Sequence, residues 1–192
     1  CDDQLSQNYE TEFSEMFSGD FGPKSPENTP HSNLVIDGVN LENYFAPEDD
    51  VMSKVVSAVS EAKSTVHFMA FSYTDDNLAS VMASLVNSGV EVSGIFESRG
   101  ADTAASSCLY LLQKGVDVRL DGNPYTFHHK VIIIDDKTVI FGSFNFSNNA
   151  NTQNDENLLI VHSEQFAHEF ETEFQKRLSE SLVPDNNSCT HD

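Results

Sequence analysis

The chain has 192 residues, 39% of them hydrophobic, with 14 Phe and no Trp, which is enough for one well-buried α/β domain. Acidic residues outnumber basic ones 31 to 10, for a net charge of −21; this weighs against tight, processive nucleic-acid binding, where phosphate neutralisation calls for a basic face. No apolar run approaches the roughly 20 residues of a membrane span, and no basic start followed by an apolar stretch marks a signal peptide.

Residues 1–17 predict an amphipathic helix that repeats the start of the last one. The stretch from Cys1 to Phe13 aligns without gaps to the stretch from His162 to Phe174, with Gln, Glu, Thr, Glu and Phe identical. A shared i, i+4 aromatic stripe would explain the apolar matches but not the polar ones between them, so an internal repeat is the better reading. Residues 18–40 hold Gly19, Gly22, Pro23, Pro26 and Pro30 among Ser, Asn and Asp, the composition of a linker.

From residue 41 strands and helices alternate. Residues 41–45 read as a first strand and 50–62 as a helix with Val51, Val55, Val59 and Ala62 on one face. Residues 65–73 form an apolar strand. Thr74 stands as an N-cap ahead of Asp75 and Asp76, and the helix behind it buries Leu78, Val81, Met82 and Leu85 before stopping at Gly89. A strand over 90–96, a helix over 101–114 ending at Gly115, and a strand over 116–120 follow. Residues 156–161 predict a further strand, and 163–182 a closing helix with Phe166, Phe170, Phe174 and Leu178 at i, i+4 spacing. The tail, 184–192, is polar and reads as frayed. The expected fold class is α/β, with a mixed, largely parallel sheet and helices on both faces. The expected domain spans 41–183.

Three cysteines show no metal spacing. Cys108 lies in a helical pattern and reads as a small core residue. Cys1 and Cys189 sit near the two ends, which leaves a disulfide between them open. A chain that starts with Cys is also what lipoprotein processing leaves, and that reading would put the protein in the cell envelope.

The most informative stretch is His128-His129-Lys130-Val131-Ile132-Ile133-Ile134-Asp135, followed by Gly142-Ser143-Phe144-Asn145. Residues 130–140 are apolar and β-branched around the polar Asp135-Asp136-Lys137, so they predict two buried strands and a turn. Side chains alternate along a strand, so His128 and Lys130 project together, Asp135 the other way, and Ser143 shares a face with Asn145. An imidazole, an ammonium, a hydroxyl and an amide can thus converge at the ends of two neighbouring strands. No set of metal ligands accompanies them, so neither a metal nor another cofactor is expected. His129 reads as a packing or surface residue, and His67, in a buried strand, as a satisfied core histidine. Arg99, at the C-terminal end of a strand where α/β sites cluster, is a candidate phosphate contact. Tyr125, just before the motif, is a candidate for lining the substrate entrance.

This constellation, H-x-K, four residues, D, six residues, G-S-x-N, resembles the HKD motif of the phospholipase D superfamily. The resemblance covers the chain from about Asn43 to the last helix. It implies that His128 attacks phosphorus to form a phosphohistidine, that Lys130 and Asn145 hold phosphate oxygens, and that Ser143 supports them. It also implies that Glu156 orients the histidine; Asp135 completes the motif but reads as structural. The implied activity is metal-independent hydrolysis of a phosphodiester, with a phospholipid head group as the leading substrate and DNA or RNA as the alternative. A third reading is a non-catalytic regulatory half of a tandem protein. One motif gives one histidine, whereas the family's proton donor is a second HKD histidine. The partner is therefore either an upstream repeat, of which 1–17 would be the closing helix, or a homodimer, as in short single-motif bacterial endonucleases of the superfamily.

Overall fold

The computed structural model describes residues 2–185 and 188–191. Readings that rest on Cys1 fall outside them. The elements run α1 (Asp3–Ser18), β1 (Asn33–Ile36), β2 (Val39–Ala46), α2 (Val51–Ser60), β3 (Thr65–Ala70), α3 (Asp76–Asn87), β4 (Glu91–Phe96), α4 (Cys108–Gln113), β5 (Asp117–Leu120), β6 (Lys130–Ile134), β7 (Thr138–Gly142), α5 (Asn148–Thr152), β8 (Glu156–His162) and α6 (Glu164–Glu180). A short 3₁₀ turn, Gly22–Lys24, lies between α1 and β1.

All eight strands form one sheet in the order β1-β2-β8-β7-β6-β3-β4-β5. The α/β class, the mixed sheet and the helices on both faces are as expected; the predominance of parallel pairing is not. Only β3–β4 and β4–β5 are parallel, and the other five pairings are antiparallel. The reason is connection length. β3, β4 and β5 are joined through α3 and α4, which return the chain to the same edge, whereas β6 and β7 are joined by a tight turn. In that turn the Lys137 amide donates to the Ile134 carbonyl (3.0 Å). Asp135 and Asp136 both take positive φ, 54° and 53°, the type I′ geometry that matches strand twist.

A second hairpin lies where the composition suggested a linker. Asp37 and Gly38, at φ 51° and 82°, turn β1 onto β2, with Ile36 opposite Val39. Part of 18–40 is therefore strand, and the Asp-Gly pair between apolar neighbours is the signal for it. The helix expected over 101–114 is confined to α4, and 101–107 form turns. Ser and Thr in that stretch bond the nearby backbone instead of supporting a helix: Thr103 Oγ1 donates to the Gly100 carbonyl (2.8 Å). Asp75, not Thr74, caps α3; its carboxylate accepts the Leu78 amide at 2.8 Å.

Two apolar cores flank the sheet. On one face Val55, Leu78, Met82 and Leu111 of α2, α3 and α4 meet Ile132, Ile134 and Ile140. On the other, Ala167 and Phe174 of α6 meet Met69, Ile95, Val131, Ile133 and Val139. Each fully buried side chain of this size stabilises the fold by about 1.5–3 kcal/mol. His67 belongs to the second core: its Nδ1 lies 2.8 Å from the Glu171 carboxylate and its ring stacks on Phe174 at 4.5 Å. The alternation of β6 is what serves both cores at once.

The tail is pinned, not free. Cys108 and Cys189 are joined by a disulfide, so Cys108 is not a simple core thiol, and Cys189 is not left for Cys1. Leu182 also pairs with Leu120. At the other end, α1 packs on β2, with Tyr9 edge-on to Phe45 at 5.2 Å, yet Phe13 and Phe17 are 62% and 82% exposed. Among the described residues no helix is long and apolar enough to cross a membrane.

Candidate active site

The pairing directions gather the C-terminal ends of β2, β3, β4, β5 and β7 and the N-terminal ends of β6 and β8 at one end of the sheet. His128 and Lys130 lie there because β6 begins at Lys130, opposite Ala70, the last residue of β3. The backbone is locked: the Phe71 amide donates to the His129 carbonyl at 2.7 Å. Phe71, which sequence reasoning passed over, supports both side chains. Its ring centroid is 4.4 Å from that of His128 and 5.0 Å from Lys130 Nζ. In the sequence it is one more apolar residue of the stretch 65–73; only the structure ends β3 at Ala70 and leaves Phe71 one residue beyond it.

Lys130 Nζ lies 3.3 Å from each ring nitrogen of His128 and donates to the His128 carbonyl at 3.1 Å. Lys130 is buried and His128 exposed. Burial pushes the Lys130 ammonium below the ordinary lysine value, and the Glu156 carboxylate partly offsets this. The pair is thus a fixed, poorly solvated cation beside an accessible imidazole.

β7 ends at Gly142, and Ser143 follows against the start of β8. The Ser143 amide donates to the Asn157 carbonyl (3.1 Å), while Ser143 Oγ accepts the Asn157 amide (3.0 Å) and side-chain Nδ2 (3.4 Å). Asn157 is a second residue missed in the sequence. The approach explains the glycine: a Cβ at Gly142 would stand 2.1 Å from the Asn157 carbonyl oxygen. Asn145 is partly buried, and its Oδ1 has no hydrogen-bond partner among the described residues. Glu156, opening β8, accepts from Asn154 Nδ2 at 3.0 Å and lies close enough to Lys130 to act on its charge.

Asp135 is not part of this cluster and is corrected as a site residue. It follows β6 at the far end, five residues from Lys130, or roughly 16 Å along a strand. There its carboxylate accepts the amides of Lys63, Ser64 and Thr65 and the Ser64 hydroxyl. Although burial raises its pKa, these donors lower it to about 2. It fastens the α2–β3 loop to the β6–β7 turn.

Arg99 reaches the rim of the site through neighbours. Its Nε binds Glu97 Oε1 (3.0 Å) and its Nη2 donates to Thr126 Oγ1 (2.8 Å). Glu97 is buried and also accepts the Phe127 amide through Oε2. Burial raises the Glu97 pKa, but the Arg99 and backbone bonds more than offset that and hold it below the usual value. Glu97 and Arg99 therefore fix the loop that delivers His128. Beside them a cavity of about 250 Å³ is lined by Phe71, Phe96, Glu97, Arg99 and Ser106. Tyr125 is 80% exposed on the same loop. His129 turns to the opposite face, its ring tilted against Phe127 at 4.4 Å and its Nε2 3.8 Å from Glu173.

The model of the family described as "Cardiolipin synthase, PLD-like domain" matches residues 55–178. The chain is 28% identical over 144 residues to a phospholipase D of Rickettsia typhi, covering 74% of this chain and 71% of that protein. It is 31% identical over 125 residues to a mitochondrial cardiolipin hydrolase of Chlamydomonas reinhardtii, covering 65% of this chain but only 56% of that protein. In structure it is similar to Nuc, a phospholipase D family member from Salmonella typhimurium. The TM-score is 0.69 at 31% identity, covering 74% of this chain and 95% of the other.

Proposed function

The chain belongs to the phospholipase D superfamily, and on that footing we propose that it hydrolyses a phosphodiester without a metal, with His128 as nucleophile. One observation carries this reading: a buried ammonium fixed 3.3 Å from an exposed imidazole. A ring nitrogen of neutral His128 attacks phosphorus and the bond to the leaving alcohol breaks. The alkoxide takes a proton from an acid, and water then cleaves the phosphohistidine bond to release a phosphomonoester. Lys130 and the Asn145 amide stabilise the charge that grows on the non-bridging oxygens. Ser143, tied to Asn157, holds the Asn145 segment in place, and Glu156 lowers the cost of keeping Lys130 charged.

The acid comes from a second HKD motif. The exposed Phe13 and Phe17 of α1 align with the buried Phe174 and the half-buried Leu178 of α6, which supports an upstream repeat; a homodimer would serve the same chemistry. The substrate is a phospholipid head-group diester, a choice that the relatives named phospholipase D and cardiolipin hydrolase and the acidic surface both support. A nuclease is the second reading. An exposed aromatic, Tyr125, and an exposed guanidinium, Arg99, on the rim are the groups on which single strands stack and pair. The Cys108–Cys189 disulfide fits an oxidising compartment, the cell envelope or the exterior.

The test is to quench the reaction of a labelled diester early and look for acid-labile phosphohistidine. It should appear in the wild type and be missing from a folded His128→Ala protein. Wild-type turnover by His128→Ala would overturn the assignment.

A further inference from the structure

We propose that Glu12, Glu15 and Glu48 form a binding site for a hard divalent cation of the calcium and magnesium class, which fastens α1 to the loop after β2. Glu12 and Glu15 stand one turn apart on the same face of α1. Glu48 comes from the β2–α2 loop. One carboxylate oxygen of each lies within 4.8 Å of those of the other two. Oxygen ligands on opposite sides of a calcium ion are about 4.6–5.2 Å apart, so this spacing suits coordination to a shared ion.

The cluster is buried and uncompensated. Glu12 and Glu15 are each 7% exposed. None of the ion pairs among the described residues includes any of the three. Glu15, more than nine-tenths buried, uses Oε2 to accept from Asn28 at 3.1 Å, but its Oε1 is enclosed without any donor. Glu48 is half-buried, and both its oxygens are enclosed with no donor apart from the Glu12 carboxyl beside it. Enclosed carboxylate oxygens that lack donors are costly, and three carboxylates this close resist ionising together without a counter-charge. Asp155 adds a further negative charge nearby.

The ligand chemistry limits the ion. Three carboxylates with no imidazole or thiolate suit a hard cation and give zinc or copper little advantage. The loop is already shaped: Asp49 Oδ2 accepts the Phe45 amide (2.9 Å) and the Thr29 hydroxyl (2.7 Å), which sets the residue beside Glu48. β2 ends at Ala46, opposite Glu156 of β8, so the ion would brace the chain just beyond that strand end, with three ligands that are none of the residues assigned to the diester chemistry. Its role is stability, separate from the diester chemistry.

The test uses the whole chain, stripped with EDTA, dialysed, and titrated with Ca²⁺, Mg²⁺ and Mn²⁺ in moderate salt to suppress diffuse binding. Calorimetry should show one saturable site, and the melting temperature should rise by several degrees at saturation. Glu48→Gln and, separately, Glu15→Gln should weaken binding by roughly tenfold or more. They should also erase the difference between chelated and loaded melting curves, while the exposed Glu169→Gln changes neither. Because loss of one carboxylate relieves repulsion, the stripped Glu48→Gln protein should melt no lower than the stripped wild type. No heat and no shift with any of the three cations at millimolar concentration would overturn the proposal. So would binding that survives unchanged in both Glu15→Gln and Glu48→Gln.

Discussion

Lys130 Nζ stands 3.3 Å from both ring nitrogens of His128 while Lys130 itself is only 6% exposed. A buried ammonium works as a fixed charge only while it keeps its proton, and burial lowers its pKa here. Activity should therefore fall on the alkaline side below the ordinary lysine value. The pH dependence of kcat, measured with a diester whose leaving group does not titrate there, would show the limb; a limb at or above the ordinary value would contradict this.

Lys130→Met should separate catalysis from folding. The substitution removes one charge-stabilising group, worth about 2.7–4 kcal/mol in such sites, so kcat should drop by two to three orders of magnitude. The same change takes a costly charge out of the interior, so the melting temperature should hold or rise. A variant that melts far lower would make Lys130 a structural residue first.

Turnover of bis-p-nitrophenyl phosphate should persist in EDTA at temperatures well below melting, since in the proposed mechanism lysine and amide donors take the place of a metal. A chelator can still lower the melting point through the α1 cluster, so rate and stability must be read separately. Loss of rate in a protein that remains folded, with recovery on adding a divalent ion, would refute metal independence.

The 192-residue chain as a strict monomer should be inactive or nearly so, because it carries one HKD histidine. Specific activity should rise with protein concentration as copies pair, or appear when an upstream repeat is joined. Two-fold pairing would let identical histidines act in different protonation states. Light scattering beside activity decides this. Full turnover from a monomer at every concentration would require an acid from elsewhere in the chain. Glu97 is a poor candidate, since its bonds keep it ionised.

Asp135→Asn should cost about 1–2 kcal/mol near neutral pH, after allowance for partial exposure. The carboxylate has its pKa lowered to about 2 in the fold, from about 3.9 unfolded. Its contribution is thus complete above the unfolded value and lost as pH falls through the folded one. Wild type and variant should converge in urea titrations near pH 2. Activity per folded molecule should be untouched, because Asp135 holds the far turn; a large loss of kcat would return Asp135 to the site.

Reduction of the Cys108–Cys189 bridge, or Cys189→Ser, should lower stability by up to about 4–5 kcal/mol on the loop-entropy account, since the bridge spans 81 residues. Denaturant unfolding with and without reductant measures it. Equal midpoints would mean the bridge does not form in solution.

Local order was readable without coordinates wherever it depended on neighbours in the chain. The apolar run from Val131 to Ile134, the polar turn after it and the i, i+4 aromatics of α6 each carry their own periodicity, and the motif pointed to the family. Alternation alone set Lys130 and Asp135 on opposite faces of one strand, though it did not say what Asp135 would hold at the far end. The Asp37-Gly38 hairpin is legible too, although the prolines that precede it have the composition of a linker. Other features depend on which distant segments meet, and chain-local patterns do not encode that. Antiparallel pairing of β8 between β2 and β7 brought Asn157 onto Ser143 and forced a glycine at 142. Packing of α4 against the tail joined Cys108 to Cys189, and the seating of α1 on β2 brought Glu12 and Glu15 to Glu48. Periodicity fixes which face a residue takes; only the closure of long loops fixes what that face will touch.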